Sequence, residues 1–240
     1  MEPQGVARCI VGVMQLRLYD WKPSPFCLKV RSILDYKGLP YTSINPLGKP
    51  ILELRKRTVG KVPVLDIDGK LVADSTVIAH ELESLAPSPS ILPAERRARA
   101  QCHVYEDWAD ESLYWIGLYL QWIEPEGAKK VPRAFGASIV GKVGYAYFSR
   151  LIERQLKGQG TARKPLAMIR DDLGRNLDAC DALVESGGFL LGDAPMLCDF
   201  ALAAQLVYLG RTPLGGAAME GRPVQAYLAR MKTLRSASSK

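Results

Sequence analysis

The stretch from Tyr19 to Tyr41, YDWKPSPFCLKVRSILDYKGLPY, decides the fold of this chain. Just before it, apolar and polar residues alternate from Gln15 to Tyr19, which predicts a short β-strand. After Ser24-Pro25, apolar residues recur at helical spacing until Gly38, a residue typical of a helix end. The stretch therefore predicts a strand, a proline-containing turn and a helix.

Ser24 lies at the predicted start of that helix. The first backbone N–H groups of a helix lack partners within the helix, and its dipole is positive at this end, so an anion is favoured there. A thiolate held beside Ser24 would therefore be stabilised. The sequence also allows a purely structural role, because Ser24 is a good helix cap with Pro25 at the first helical position. The two roles are compatible.

The rest of the first part of the chain predicts a compact α/β domain over residues 15–86. Asp68-Gly69 is a strong signal for a β-hairpin, and Asp74 precedes an apolar run of helical period. Pro63 cannot donate to a strand ladder, so it belongs at the start or edge of its strand. The predicted elements are strands at Tyr41–Ile44, Val62–Leu65 and Lys70–Ala73, a helix at Pro50–Arg57 and a second helix with its apolar run at Val77–Leu85, after the capping residues Asp74-Ser75-Thr76.

The segment APSPSILP, from Ala86 to Pro93, is the best linker in the chain because its three prolines cannot continue a helix. Beyond it, residues 94–235 predict an all-helical domain. Glu126–Gly144 reads as an irregular segment, and Ser236–Lys240 as a frayed end. The predicted helices are Ala94–Ile123, Ser149–Lys157, Leu166–Glu185, Asp199–Leu209 and Val224–Leu234.

Composition sets broad limits on function. The 240 residues are 48% hydrophobic and 24% charged, as in ordinary globular proteins. The formal net charge is +7, but basic and acidic residues are mixed, which favours a solvated surface over nucleic-acid binding. No apolar run is long enough for a membrane helix, and Cys9–Met14 is too short for a secretory signal.

The cysteines are odd in number and widely spaced, at Cys9, Cys27, Cys102, Cys180 and Cys198. This pattern favours reduced thiols in a cytoplasm over a disulfide framework or a zinc site, so no metal is expected. Cys27 follows Ser24 where a dithiol motif would have its second cysteine, so a dithiol redox cycle is not available. Packing is the favoured role of Cys27, and a role as a thiol in its own right stays open.

Taken together, these motifs resemble the cytosolic glutathione transferase superfamily over Gln15 to about Leu234. SPFCLKVR followed by KGLPY is closest to the tau class, whereas ESLYWIGLYLQW, RQLKGQGTARK and FLLGDAPMLCDF also resemble the metaxin and failed-axon-connections branch. The resemblance implies a thioredoxin-like α/β N-terminal domain, residues 15–86, that binds glutathione. It also implies an all-α C-terminal domain, residues 94–235, and pairing as a homodimer.

The resemblance implies specific roles for residues of the N-terminal domain. Ser24 matches the catalytic residue whose hydroxyl donates a hydrogen bond to the glutathione sulfur. Lys49 and Lys61 match positions that meet the glycine-end carboxylate. Taken alone, these two lysines are ordinary surface charges.

Three further matches complete the implied glutathione site. Val62 matches the residue whose backbone pairs with the peptide, ahead of Pro63, which the family holds in the cis form. Asp74 and Ser75 match the pair that holds the γ-glutamyl end, where glutamate is more usual than Asp74. The shorter side chain makes tight binding of the α-amino group less secure, and capping of the next helix is an alternative role.

Aromatic residues of the long helix are candidates for the pocket of an electrophile. Some of them must instead be core or dimer contacts, because a helix turns them to more than one face. The cluster consists of Tyr105, Trp108, Tyr114, Trp115, Tyr119 and Trp122, with Trp108, Tyr114 and Trp115 as the favoured pocket residues, joined by Tyr145 and Tyr147 from the irregular segment.

The sequence therefore predicts a cytoplasmic, glutathione transferase-like enzyme of detoxification. It uses glutathione as co-substrate and conjugates its thiolate to a small apolar electrophile. Two alternatives remain open: a glutathione reductase or lyase that depends on Cys27, and a non-catalytic binding or scaffold protein.

Overall fold

The computed structural model describes residues 14–135, 138–185 and 187–237, and Cys9 lies outside them. The N-terminal part contains a four-stranded mixed sheet in the order β2-β1-β3-β4. Strand β1 pairs in parallel with β2 and antiparallel with β3, which pairs antiparallel with β4. The strands are β1 Leu16–Tyr19, β2 Thr42–Ile44, β3 Val64–Ile67 and β4 Lys70–Ala73, and the helices are α1 Pro25–Tyr36, α2 Lys49–Arg57 and α3 Ser75–Leu85.

These elements confirm the predicted α/β order, and the local signals act as expected. Gly38, just after α1, has a φ of 64°, a conformation that glycine adopts without steric cost. Asp68 and Gly69 have φ values of 49° and 94° and join β3 to β4 in a tight hairpin.

The C-terminal part is mostly helical, as predicted. The predicted long helix is present from Arg96 to Trp122, but its middle turn is a π-helix. The elements are α4 Arg96–Trp108, the π segment Ala109–Leu113, α5 Tyr114–Trp122, α6 Pro125–Ala128, a 3₁₀ turn Val131–Phe135, α7 Ile139–Gln159, a 3₁₀ turn Thr161–Arg163, α8 Leu166–Val184, α9 Leu197–Gly210, α10 Pro213–Met219 and α11 Pro223–Ala237.

One prediction about this part was wrong, and one helix was missed. The irregular segment is shorter than expected, because α7 already begins at Ile139, where the Ser138 hydroxyl accepts a hydrogen bond from the Gly141 N–H at 3.0 Å. This cap stabilises a helix that contains two glycines in its first two turns. Helix α10 was not expected, yet the Thr212 hydroxyl caps it by accepting from the Gly215 N–H at 3.0 Å.

One apolar core runs through both parts of the chain. Leu18 and Leu65 of the sheet and Ile33 of α1 are fully buried, and they belong to the same cluster as Phe200 of α9. Helix α1 packs directly against α9, so the α/β part and the helical part of the chain are in contact there. Among the described helices, none combines the length and the apolar character needed to cross a membrane.

The start of α9 is fixed by a buried carboxylate. Asp199 accepts hydrogen bonds from the backbone N–H groups of Leu190 and Met196, each at 2.9 Å. The Tyr227 hydroxyl donates to the same carboxylate at 3.0 Å. Burial nevertheless raises the pKa of Asp199, although these donors act to lower it. The network connects α9, α11 and the loop between α8 and α9.

Candidate functional site

Strand register brings three predicted segments to one edge of the sheet. Tyr19 at the end of β1 lies opposite Val64 at the start of β3, and Val64 lies opposite Ala73 at the end of β4. The chain therefore leaves β1 towards Ser24, enters β3 from Val62-Pro63 and leaves β4 towards Asp74-Ser75 at the same edge. Residues more than fifty positions apart in sequence thus come together.

Ser24 is the N-cap of α1. Its hydroxyl oxygen accepts a hydrogen bond from the Cys27 N–H at 3.3 Å, and the side chain is largely buried. Because the oxygen acts as an acceptor in this cap, its hydrogen remains available to a second acceptor, such as the sulfur of a ligand.

The loop between β1 and α1 is held by a buried ion pair. Arg31 of α1 donates to the Asp20 carboxylate, and both side chains are almost completely shielded from solvent. The Ser43 hydroxyl also donates to Asp20, at 2.9 Å. On the other side, Arg211 donates to the Pro23 carbonyl at 2.7 Å. These contacts fix the position of Ser24 relative to both parts of the chain.

The segment before β3 has the geometry expected for peptide pairing. The Val62-Pro63 bond is cis, as the resemblance implies. Val62 precedes the first paired residue of β3, Val64, so its backbone lies beyond the strand ladder. Lys61 is exposed and has no ion-pair partner among the described residues. Lys49 begins α2, but its side chain lies outside what the structure describes.

Asp74 caps α3 in an uncommon backbone conformation. Its φ is 81°, and its carboxylate accepts hydrogen bonds from the N–H groups of Thr76 at 2.9 Å and Val77 at 3.2 Å. A non-glycine residue with such a φ is strained, and strained residues cluster at functional sites. Ser75 follows and is buried. The predicted capping role of Asp74 is confirmed and leaves its charge exposed.

Cys27 is completely buried one turn into α1. Burial raises the pKa of its thiol to about 11, an effect that the hydrogen bond with Ser24 and the Arg31 charge only partly offset. A thiol in this state is a poor nucleophile near neutral pH. The surroundings therefore favour packing as the role of Cys27.

A buried charged cluster, which the sequence did not reveal, includes Thr76 and so adjoins Asp74 and Ser75. Lys29 of α1 is fully buried and donates to Glu106 and, at 2.7 Å, to Asp110 in the π segment. Thr76 of α3 and Gln205 of α9 donate to these carboxylates. Burial opposes the Lys29 charge, but the two carboxylates raise the pKa of Lys29 above its ordinary value. The only sequence signal is a lysine within an apolar helical pattern.

The aromatic side chains that were predicted to line the pocket do not all lie together, and each contacts a different neighbour. The Tyr114 ring contacts Phe26 of α1, with 4.8 Å between centroids, and burial raises the pKa of Tyr114 to about 12. Trp115 packs against Tyr114. Trp108 points to α8, where its indole N–H donates to Asn176 at 3.0 Å. Of these three residues, Tyr114 is the one whose ring contacts an aromatic residue of α1, two positions after Ser24.

A cavity of about 350 Å³ opens beside the loop before α1. It lies between that loop, the end of α5 and the turn from α9 to α10. Its size is within the range of small-molecule sites. The favoured residues Trp108, Tyr114 and Trp115 do not line it, but Trp122 of the same predicted cluster does. The ring of Tyr145 stacks on Trp122, with 6.3 Å between centroids. Tyr147 is mostly exposed. The lining residues are Trp21, Lys22, Pro23, Gln121, Trp122, Gly127, Lys130, Val131, Phe135, Arg211 and Thr212.

Sequence reasoning missed this cavity because its walls come from three distant segments. Trp21 and Pro23 flank the predicted turn, but nothing in the sequence places Phe135 or Arg211 beside them. No group of His, Cys, Asp and Glu side chains within the described ranges has the arrangement of a metal site.

Comparisons with known proteins agree with this fold. Two family models match the chain: glutathione S-transferase, N-terminal domain, over residues 18–90, and glutathione S-transferase, C-terminal domain, over residues 145–230. Protein LigF of Sphingobium sp. (strain NBRC 103272 / SYK-6) is 29% identical over 218 residues, which cover 79% of this chain and 78% of LigF. The crystal structure of beta-etherase LigF superposes with a TM-score of 0.69 at 22% identity, covering 94% of this chain and 98% of that one.

A relative of a different kind is Failed axon connections of Drosophila melanogaster. It is 26% identical over 206 residues, which cover 78% of this chain and 47% of that protein. This chain therefore spans less than half of that relative.

Proposed function

Because the chain belongs to the glutathione S-transferase superfamily, we propose that it binds glutathione at the sheet edge beside Ser24 and transfers the thiolate to an electrophile in the adjacent cavity. One observation carries the proposal: Ser24, Val62-Pro63 and Asp74-Ser75 meet at one edge of the sheet, next to a cavity lined by Pro23.

Ser24 supplies the chemistry by lowering the pKa of the bound thiol. A free thiol with a pKa near 8.5 is only about 3% ionised at pH 7. Lowering its pKa by about two units makes it roughly three-quarters ionised and requires about 2.7 kcal/mol. A charge-assisted hydrogen bond from the Ser24 hydroxyl, helped by the positive end of α1, is of that order. Ser24 is therefore a donor to the nucleophile.

The other residues hold the tripeptide. The Val62 backbone, free of the strand ladder, pairs with the peptide of glutathione. Lys61, with Lys49, meets the glycine-end carboxylate, and Asp74 with Ser75 meets the γ-glutamyl end. The charges match at both ends, since two lysines suit a carboxylate and an acidic residue suits an amino group.

We also propose that residues 15–86 and 94–235 are the two domains of a cytoplasmic detoxification enzyme that forms a homodimer. Val77 of α3 and Val104 of α4 support pairing, because their side chains are 52% and 62% exposed. Covering such apolar residues is a common function of a dimer interface. Light scattering of the purified protein tests this: a monomer at micromolar concentration would contradict it.

The experiment for the main proposal compares two variants three residues apart. Glutathione binding is measured by calorimetry, and turnover with a chloro-dinitrobenzene by absorbance. Ser24→Ala is expected to lower kcat/KM at least about tenfold, since it removes a donor to the sulfur. Cys27→Ala, as the control, is expected to keep turnover.

The opposite pattern, with activity lost only in Cys27→Ala, would favour a reductase or lyase that depends on Cys27. A folded protein that binds no glutathione would instead favour the scaffold role.

A further inference from the structure

The charge of the cavity beside Pro23 indicates the class of electrophile. We propose, on the basis of the function proposed above, that the second substrate is an aromatic compound carrying a negative charge, such as an aryl carboxylate. This differs from the small apolar electrophile that the sequence predicts.

Aromatic side chains form the walls of the cavity. Trp21 comes from the loop after β1, Trp122 from the end of α5 and Phe135 from the 3₁₀ turn. The Trp122 and Phe135 rings meet edge to face, with centroids 6.2 Å apart. Flat, polarisable walls of this kind favour an aromatic ligand, which can stack against them.

The charged residues of the lining all have the same sign. Lys22, Lys130 and Arg211 line the cavity, and no Asp or Glu among the described residues does. Lys22 is paired with Asp20 at 3.0 Å. Arg211 donates to the Pro23 carbonyl and has no carboxylate partner among the described residues. Lys130 likewise has no carboxylate partner in the part of the chain that the structure describes.

The neighbouring lysine gives a direct contrast. Lys129 lies outside the cavity lining and forms an ion pair with Glu126, whereas Lys130 lines the cavity and is left without an acid. A neutral ligand would cover the Lys130 and Arg211 charges without compensating them, which is unfavourable. An anion on the ligand neutralises them, and a carboxylate can accept two hydrogen bonds from the Arg211 guanidinium.

The cavity lies where the proposed reaction requires the electrophile, next to Ser24. Pro23 lines the cavity and is adjacent to Ser24, so an aromatic ring held there would lie beside the sulfur of bound glutathione. With an aryl chloride, the thiolate forms a carbon–sulfur bond, and the carbon–chlorine bond breaks as chloride leaves with its electron pair. The proton of the thiol passes to solvent. The aryl carboxylate remains unchanged and only positions the ring.

The test uses a chloro-dinitrobenzoate and its methyl ester, which differ in charge but present the same reacting ring. Binding is measured by quenching of tryptophan fluorescence, because Trp21 and Trp122 line the cavity. Turnover with glutathione is then measured for both compounds. We expect the acid to bind at least about fivefold more tightly than the ester, as one or two charge-assisted contacts allow.

Single substitutions locate this preference. Lys130→Gln and Arg211→Gln are each expected to reduce the acid-to-ester ratio of affinities by about threefold or more. Arg211→Lys should keep most of the preference, and Lys129→Gln, as the matched control, should keep all of it. If Arg211→Gln does not fold, Lys130→Gln and Arg211→Lys still decide the question.

Equal binding of acid and ester, or a preference unchanged in Lys130→Gln and Arg211→Gln, would overturn the inference. The predicted binding pattern without turnover would support the charge preference and contradict the proposed transferase activity. Turnover of both compounds with equal KM would support the activity and contradict the charge preference.

Discussion

Ser24 and Cys27 lie three residues apart at the start of α1, but their side chains have different surroundings. The Ser24 hydroxyl lies at the helix mouth, whereas the Cys27 thiol is enclosed by the core. The sequence predicted Ser24 as a cap, and the structure confirms it. The sequence could not decide the role of Cys27, because the burial of its thiol depends on residues that are distant in sequence.

Burial should make Cys27 unreactive in the native protein. Because the pKa of its thiol is raised to about 11, alkylation by iodoacetamide at pH 8 should be slow, and unfolding should accelerate it at least about tenfold. Mass spectrometry of the peptide containing Cys27 measures both rates. Alkylation of native Cys27 as fast as that of the unfolded chain would contradict this assignment.

Asp74→Asn separates the two roles of that residue. Asparagine keeps an oxygen that can cap α3 and tolerates positive φ, so the free energy of unfolding should change by less than about 1 kcal/mol. The loss of negative charge should weaken glutathione binding about tenfold or more, as expected for a hydrogen bond to a charged group. Calorimetry measures the affinity, and an unchanged affinity would remove Asp74 from the proposed site.

At the scale of elements, helices and strands with strong end signals could be predicted from sequence. The Asp68-Gly69 hairpin and the cap at Asp74 depend on adjacent residues, and both are present. The start of α7 was missed because two glycines obscured its pattern. The π segment was not predicted, and one of its residues, Asp110, contacts Lys29, which lies 81 positions away in the sequence.

The buried cluster around Lys29 connects α1 to α4 and the π segment. Lys29→Met leaves Glu106 and Asp110 without their cation, so it should destabilise the fold by about 3–5 kcal/mol. Lys56→Met is the matched control, because its ion pair with Glu53 is exposed and should contribute less than about 1 kcal/mol. Denaturant unfolding measures both. Equal effects of the two substitutions would contradict a structural role for the cluster.

Glu83 connects α3 to the linker, and its ionisation should make the free energy of unfolding depend on pH. Burial acts to raise the pKa of Glu83, but donors from Lys37, Ser90 and the Ile91 N–H outweigh it and lower that pKa. The carboxylate therefore stabilises the fold above about pH 4.5, and this contribution is lost as the pH falls through the native pKa. Solvent screening limits the contribution to about 1 kcal/mol.

The measurement is the free energy of unfolding between pH 3 and pH 7, for wild type and Glu83→Gln. The variant should be less stable at pH 7 and should lose less stability on acidification. Parallel curves for the two proteins would contradict the assignment.

At the scale of the whole molecule, the cavity is built by contacts between the two parts of the chain. The sequence pointed to Ser24, Val62 and Asp74 through local motifs and through the family resemblance that these motifs carry. It could not predict the cavity, because Arg211 reaches Pro23 across 188 positions. The basic lining of the cavity, from which we infer the class of electrophile, arises only when these segments are packed together.

The central claim is that the Ser24 hydroxyl lowers the pKa of bound glutathione. The most direct test follows the ultraviolet absorbance of the thiolate as glutathione bound to the protein is titrated with pH, in wild type and in Ser24→Ala. We predict a thiol pKa about two units below the roughly 8.5 of a free thiol in wild type, and a return most of the way to that value in Ser24→Ala. A wild-type value equal to that of free glutathione, or the same value in both proteins, would contradict the claim.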